Sequence, residues 1–125
     1  MSGEVVHFEL CVDDIERAQA FYQEAFGWRT NAVPEMNYVL VSTTKTDKHG
    51  RPSEPGAING GMMVRQAPFA APIITIQVDD VDAALAKVES LGGAVVAGRQ
   101  SVGDMGFSAY FTDTEGNIVG LWQNG

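Results

Sequence analysis

His7 and Glu9 stand two residues apart in the run Val5-Val6-His7-Phe8-Glu9-Leu10-Cys11-Val12. Apolar and polar residues alternate there, which marks a strand, and in a strand residues two apart share a face. An imidazole and a carboxylate therefore project side by side. Such a pair can form an ion pair in a polar pocket, present Glu9 as a general base to a bound molecule, or give two donors to a divalent metal. Cys11 shares that face but sits at the strand end, where it reads as a packing residue. The other histidine, His49, lies in the polar stretch 48–51 and reads as solvated. Met62, Met63 and Met105 suit either a core or an apolar ligand. Trp28 and Trp122 read as packing residues.

The elements that position these residues come from a repeat. The run Val12-Asp13-Asp14-Ile15-Glu16-Arg17-Ala18 recurs as Val78-Asp79-Asp80-Val81-Asp82-Ala83-Ala84, an offset of 66 residues. Upstream, Phe8, Leu10 and Val12 map to Ile74, Ile76 and Val78. Downstream, Ile15, Ala18, Tyr22 and Ala25 map to Val81, Ala84, Val88 and Leu91. Spacings of three and four put the second set on one helix face. Asp13 or Asp14, and Asp79 or Asp80, are the expected N-caps. Gly27 and Gly93 are the expected helix ends. Each copy thus predicts a strand and then a helix, over residues 4–12 and 13–26 in the first copy and a helix over 79–91 in the second. Val6, Phe8, Leu10 and Val12 are expected to face the helix, with His7, Glu9 and Cys11 on the other side. Strands follow near 28–33, 38–42 and 57–65, then near 94–97, 107–112 and 118–123. Residues 43–56, rich in Lys, Gly and Pro, are expected to form a mobile loop, and Asp113-Thr114-Glu115-Gly116-Asn117 a tight hairpin turn.

Composition narrows the function. The 125 residues fit one domain, read as module one over about 4–65 and module two over about 72–123. A net charge of -8 with eight Lys and Arg lacks the basic stripe that nucleic acid requires. The amino-terminal residues show no secretory pattern, no apolar run is long enough to span a bilayer, and a lone Cys11 makes no internal disulfide. The expectation is a cytoplasmic protein with a small-molecule ligand and no nucleic-acid or membrane partner. The open edges of a curved sheet further predict a homodimer.

Three segments carry a likeness to a known family. They are His7-Phe8-Glu9-Leu10 with Asp14–Tyr22 and Phe26-Gly27-Trp28; Ile58-Asn59-Gly60-Gly61-Met62-Met63; and Asp113–Gln123. With the repeat, they make the chain resemble the glyoxalase/bleomycin resistance protein/dioxygenase (vicinal oxygen chelate) superfamily. The resemblance implies an α+β fold of two tandem β-α-β-β-β modules, their curved mixed sheets forming a central cleft. It implies a place for a divalent metal held by the first and last strands of each module. His7 matches the first of those positions. Gln123 stands at the last-strand position of module two, where Glu is usual. Ile73 stands at the first-strand position of module two and ligates nothing, and Met63, at the end of module one, offers only a soft sulfur.

The ligand set is therefore expected to be degenerate. His7 and Gln123 are the surviving metal candidates, and Glu9 is the one source of negative charge, as ligand or as catalytic base. No resident cofactor is expected, with Zn, Ni, Fe or Mn as the alternative. A turn at 113–117 sets Phe107 opposite Gln123 and Ala109 opposite Leu121. These four are expected to line one cavity with His7 and Glu9, so that His7, Glu9, Met63, Phe107 and Gln123 contact a ligand. The leading expectation is a small-molecule-binding protein of this type with a degenerate metal site. The rivals are a metal-dependent lyase, isomerase or dioxygenase, and a drug-sequestering protein of bleomycin-resistance type.

Overall fold

The computed structural model describes residues 3–125. The chain is α+β, and its elements follow one plan twice. Strand β1 (Val5–Val12) leads to helix α1 (Ile15–Phe26) and strands β2 (Arg29–Val33), β3 (Tyr38–Ser42) and β4 (Asn59–Val64). Strand β5 (Ile73–Gln77) leads to helix α2 (Val81–Ser90) and strands β6 (Ala94–Val102), β7 (Gly106–Thr112) and β8 (Ile118–Asn124). Two compact units result, one of residues 7–72 and one of residues 73–125 together with residues 3–6.

In the first unit the strand order is β2-β3-β4-β1, with β1 parallel to β4 and the other pairs antiparallel. His7, Glu9 and Cys11 lie beside Asn59, Gly61 and Met63, and Leu10 lies beside Met62. Neighbours in register share a face. The side toward α1 is built on Val39, Val41 and Met62, with Phe8, Leu10, Ile15, Ala18, Tyr22 and Trp28 packed against them. His7, Glu9 and Cys11 therefore project from the opposite side, as the alternation requires. Trp28 stacks on Tyr22 at 4.7 Å between ring centroids and packs against Phe8, which makes it a packing residue.

The second unit repeats the plan with order β5-β8-β7-β6, and β5 runs parallel to β8. Its core is Val81, Leu85, Ala109, Phe111, Val119 and Leu121. Helix α2 buries Val81 and Leu85, whereas α1 buries no residue fully.

Of the paired aspartates, Asp14 and Asp80 are the N-caps. Their carboxylates accept from the Arg17 and Ala83 amides at 3.0 and 3.1 Å. Gly27 closes α1 in the left-handed conformation, with φ of 74°. At the end of α2 the left-handed residue is Gly92 and not the expected Gly93. Gly93 serves a close approach instead, since a Cβ there would lie 2.6 Å from the Thr112 carbonyl oxygen. Strand β6 runs five residues beyond the expected 94–97, through Gly98-Arg99-Gln100-Ser101. It is an edge strand with irregular register, so its polar, exposed run carries none of the apolar alternation that marks an inner strand. The polar segment after β3 is organised as a bridged turn. Thr46 pairs with Pro52, and the Asp47 carboxylate accepts from the His49 and Arg51 amides at 2.8 and 3.0 Å.

Candidate functional site

The polar cluster of the first unit begins with the backbone of β4. Gly60 and Gly61 sit in mid-strand, where glycine marks close approach of another group. A Cβ on Gly61 would lie 1.9 Å from the Tyr38 hydroxyl and 2.1 Å from its Cζ. The Tyr38 ring therefore crosses the strand over Gly61, and its hydroxyl reaches Nε2 of His7 at 2.8 Å. The two rings lie nearly parallel, 18° apart. Tyr38 enters β3 directly after Asn37, the one non-glycine residue with positive φ among the described residues, at 49°. A 3₁₀ turn at Pro34–Met36 precedes it. Asn37 caps that turn by donating its amide to the Pro34 carbonyl.

Glu9, opposite Gly61, is 5% exposed. Burial lowers the His7 pKa below its ordinary 6.5, and the Glu9 carboxylate pulls the other way. His7 is then a neutral imidazole at neutral pH. On Cys11, burial pushes the thiol above its ordinary value, the Glu9 charge adds to this, and Arg65 opposes it. The Cys11 Sγ donates to the Ala71 carbonyl at 3.5 Å, as a buried packing thiol does. Met63, beside Cys11 in register, shares this face and is half-buried. His7, Glu9 and Met63 are thus brought onto one surface. Tyr38 joins them, although sequence reading passed over it. Its signal was Gly61, a strand residue with no side chain where Tyr38 crosses.

The second unit corrects one expectation. The cross-strand pairs Phe107 with Gln123 and Ala109 with Leu121 are present, but their face is the reverse of the one expected. Ala109 and Leu121 pack beneath α2, and Phe107 packs against them. Gln123 Oε1 accepts from the Val81 amide at 2.8 Å, at the start of α2. The physical reason is a slip of one residue. Cys11 pairs with Met63 and its counterpart Gln77 pairs with Trp122, so Trp122 matches Met63 and Gln123 falls on the other side. The face that corresponds to His7 and Glu9 instead carries Ile73 and Thr75, both buried, with Gly120 beside Thr75. The Tyr110 ring lies 3.4 Å from where a Gly120 Cβ would be.

This donor set does not fit a divalent metal. His7 Nε2 is bonded to a phenol, the Gln123 amide oxygen is bonded to a helix amide, and Ile73 has no donor. No group of three or more His, Cys, Asp and Glu able to hold a metal occurs among the described residues. A shallow open groove of about 480 Å³ lies elsewhere in the first unit, at the start of α1, lined by residues including Cys11, Arg17, Phe21 and Pro72. Arg65 braces it, bonded to Asp13 at 2.6 Å and to the carbonyls of Cys11 and Ala70 at 3.1 and 3.0 Å. None of His7, Glu9 and Tyr38 lines it.

Comparison with known proteins adds the family context. Residues 4–44 match the family described as bleomycin resistance protein-like N-terminal. The chain is 34% identical over 120 residues to CFP32 of Mycobacterium tuberculosis, covering 92% of this chain and 43% of CFP32. It therefore spans less than half of that relative. It is 30% identical over 122 residues to a glyoxylase-like domain-containing protein of Didymella fabae, covering 94% of this chain and 91% of the other. Among solved structures, a Streptomyces coelicolor methylmalonyl-CoA epimerase in complex with 2-nitronate-propionyl-CoA has the same fold. The TM-score is 0.65 at 17% identity, over 99% of this chain and 96% of that one.

Proposed function

The chain belongs to the glyoxalase/bleomycin-resistance (vicinal oxygen chelate) superfamily, and from that premise we propose that it binds a small molecule on the His7–Glu9–Tyr38 face without a resident metal. One observation carries the reading: a neutral imidazole bonded to a phenol stands beside a buried carboxylate, on a face that also carries Gly61, Cys11 and Met63. Few polar groups on an apolar surface are what small-molecule sites use to orient a ligand. Glu9 is the base in this scheme if the ligand is turned over. The protein is further proposed to be cytoplasmic and homodimeric. No helix among the described residues is long and apolar enough to cross a membrane.

The test is a thermal-shift screen of small molecules with an apolar body and a polar head, with each hit titrated against His7→Ala and Glu9→Gln. Loss of the same hit in both variants supports the site. Undiminished binding in both overturns it.

Two other readings have support of their own. The match over residues 4–44 contains His7, Glu9 and Tyr38, which favours drug sequestration without turnover. The glyoxylase-like relative and the epimerase fold favour a lyase or isomerase. Turnover of a bound hit separates these two.

A further inference from the structure

We infer that Tyr38 is the positioning residue of this face: it closes Nε2 of His7 with a hydrogen bond and so commits the imidazole to hydrogen bonding instead of metal ligation. The inference deepens the proposed site and rests on that reading only for its functional meaning. It begins with Gly61. The phenol occupies the volume into which any side chain at position 61 would project, with Cε2 of Tyr38 only 2.3 Å from the site of a Cβ. A glycine in mid-strand weakens the strand and needs a local reason. Here the reason is the passage of Tyr38 to His7, 31 residues away in sequence.

The direction of the bond follows from acid and base strength. A phenol is a better donor than a neutral imidazole N–H, and an imidazole nitrogen is a better acceptor than a phenol oxygen. Tyr38 therefore donates, His7 Nε2 accepts, and the imidazole proton resides on Nδ1. The lone pair that would bind a metal is held in the hydrogen bond. Burial of His7 agrees with a neutral ring, although the Glu9 charge opposes it. The second unit supplies an internal control. There Tyr110 lies beside Gly120 as Leu40 lies beside Gly61, so the position that corresponds to Tyr38 is Ser108. The second unit has neither the phenol nor the imidazole at the matching positions, which hold Ser108 and Ile73.

The experiment is nitrogen NMR on histidine-labelled full-length protein at neutral pH, with exposed His49 as internal reference. His7 is expected as the Nδ1–H tautomer in the wild type. Tyr38→Phe is expected to move it toward Nε2–H, the form that predominates in free imidazole side chains. Gly61→Ala, which keeps the phenol but displaces it, should do the same, and Tyr110→Phe should leave His7 unchanged. Added Co²⁺ should shift His49 and leave wild-type His7 unmoved. An Nε2–H wild type, a tautomer indifferent to Tyr38→Phe, or a Co²⁺-induced shift at wild-type His7 would overturn the inference. If Gly61→Ala does not fold, Tyr38→Phe decides alone, since removing one hydroxyl leaves the packing intact. No ligand is needed, so a face that binds nothing small would end the proposed function and leave this result standing.

Discussion

The two modules share a backbone plan and divide the work of the molecule differently. On the helix-facing side they agree: Phe8 and Leu10 in one correspond to Ile74 and Ile76 in the other. On the opposite side they part. His7 and Glu9 become Ile73 and Thr75, and Cys11 becomes Gln77. Packing diverges in the reverse sense. Helix α2 seals Val81 and Leu85 into a core, and Lys87 and Gly92 stand where α1 has Phe21 and Phe26. In α1 those phenylalanines stay exposed, at 60% and 66%. The module that holds the polar cluster is the one whose helix is less deeply packed. A repeated module can thus keep one half as a well-filled scaffold while the other half carries the departures from apolar packing.

The sharpest way to break this comparison is to remove matched side chains from the two helices. Leu85→Ala should cost about 2–5 kcal/mol, as expected for a large-to-small change in a filled core. Its counterpart Gln19 is partly exposed and bonds Thr30 at 2.9 Å, so Gln19→Ala should cost about 1 kcal/mol or less. Urea unfolding of both variants checks this, and equal losses would remove the asymmetry. Next comes Gln123→Val, which writes the residue type of Val64 into the second module. It removes the partner of the Val81 amide and should cost about 1–3 kcal/mol.

A smaller effect concerns pH. His7 is held below 6.5 in the fold, so the unfolded chain takes up its proton first. Stability should fall as pH drops from 6.5 through the folded value, and His7→Gln should flatten that part of the profile. An unchanged slope in His7→Gln would move the acid sensitivity elsewhere. The smallest expected effect is none: chelator should leave the melting temperature unchanged. Metal at 100 times its dissociation constant would add about 2.7 kcal/mol, which a melt cannot miss. A rise with one metal that His7→Ala abolishes would restore the metalloenzyme reading.

The fold was legible because its signals are periodic and written twice. The offset of 66 located both helices and placed His7 and Glu9 away from α1. What escaped was whatever depends on single-residue register or on distant contact. Gln123 was assigned to the wrong face because Met63 was matched to it and not to Trp122, and one residue in a strand inverts the side chain. Tyr38 escaped because its partner lies on another strand, and only the absence of a side chain at Gly61 hinted at the crossing. Strand β6 was truncated because an exposed edge needs no apolar alternation.

The incomplete burial of α1 also bears on motion. A helix with no fully buried residue can separate from its sheet at a free-energy cost below that of global unfolding, so its amides should exchange with solvent faster than those of α2. When α1 lifts, water reaches Phe8, Leu10 and Met62, which lie on its side of the sheet. His7 and Glu9 face the other way, on a strand still pinned to β4 from His7 beside Asn59 to Val12 beside Val64. Local opening of the helix is therefore decoupled from the polar cluster, which can stay assembled while the fold breathes behind it.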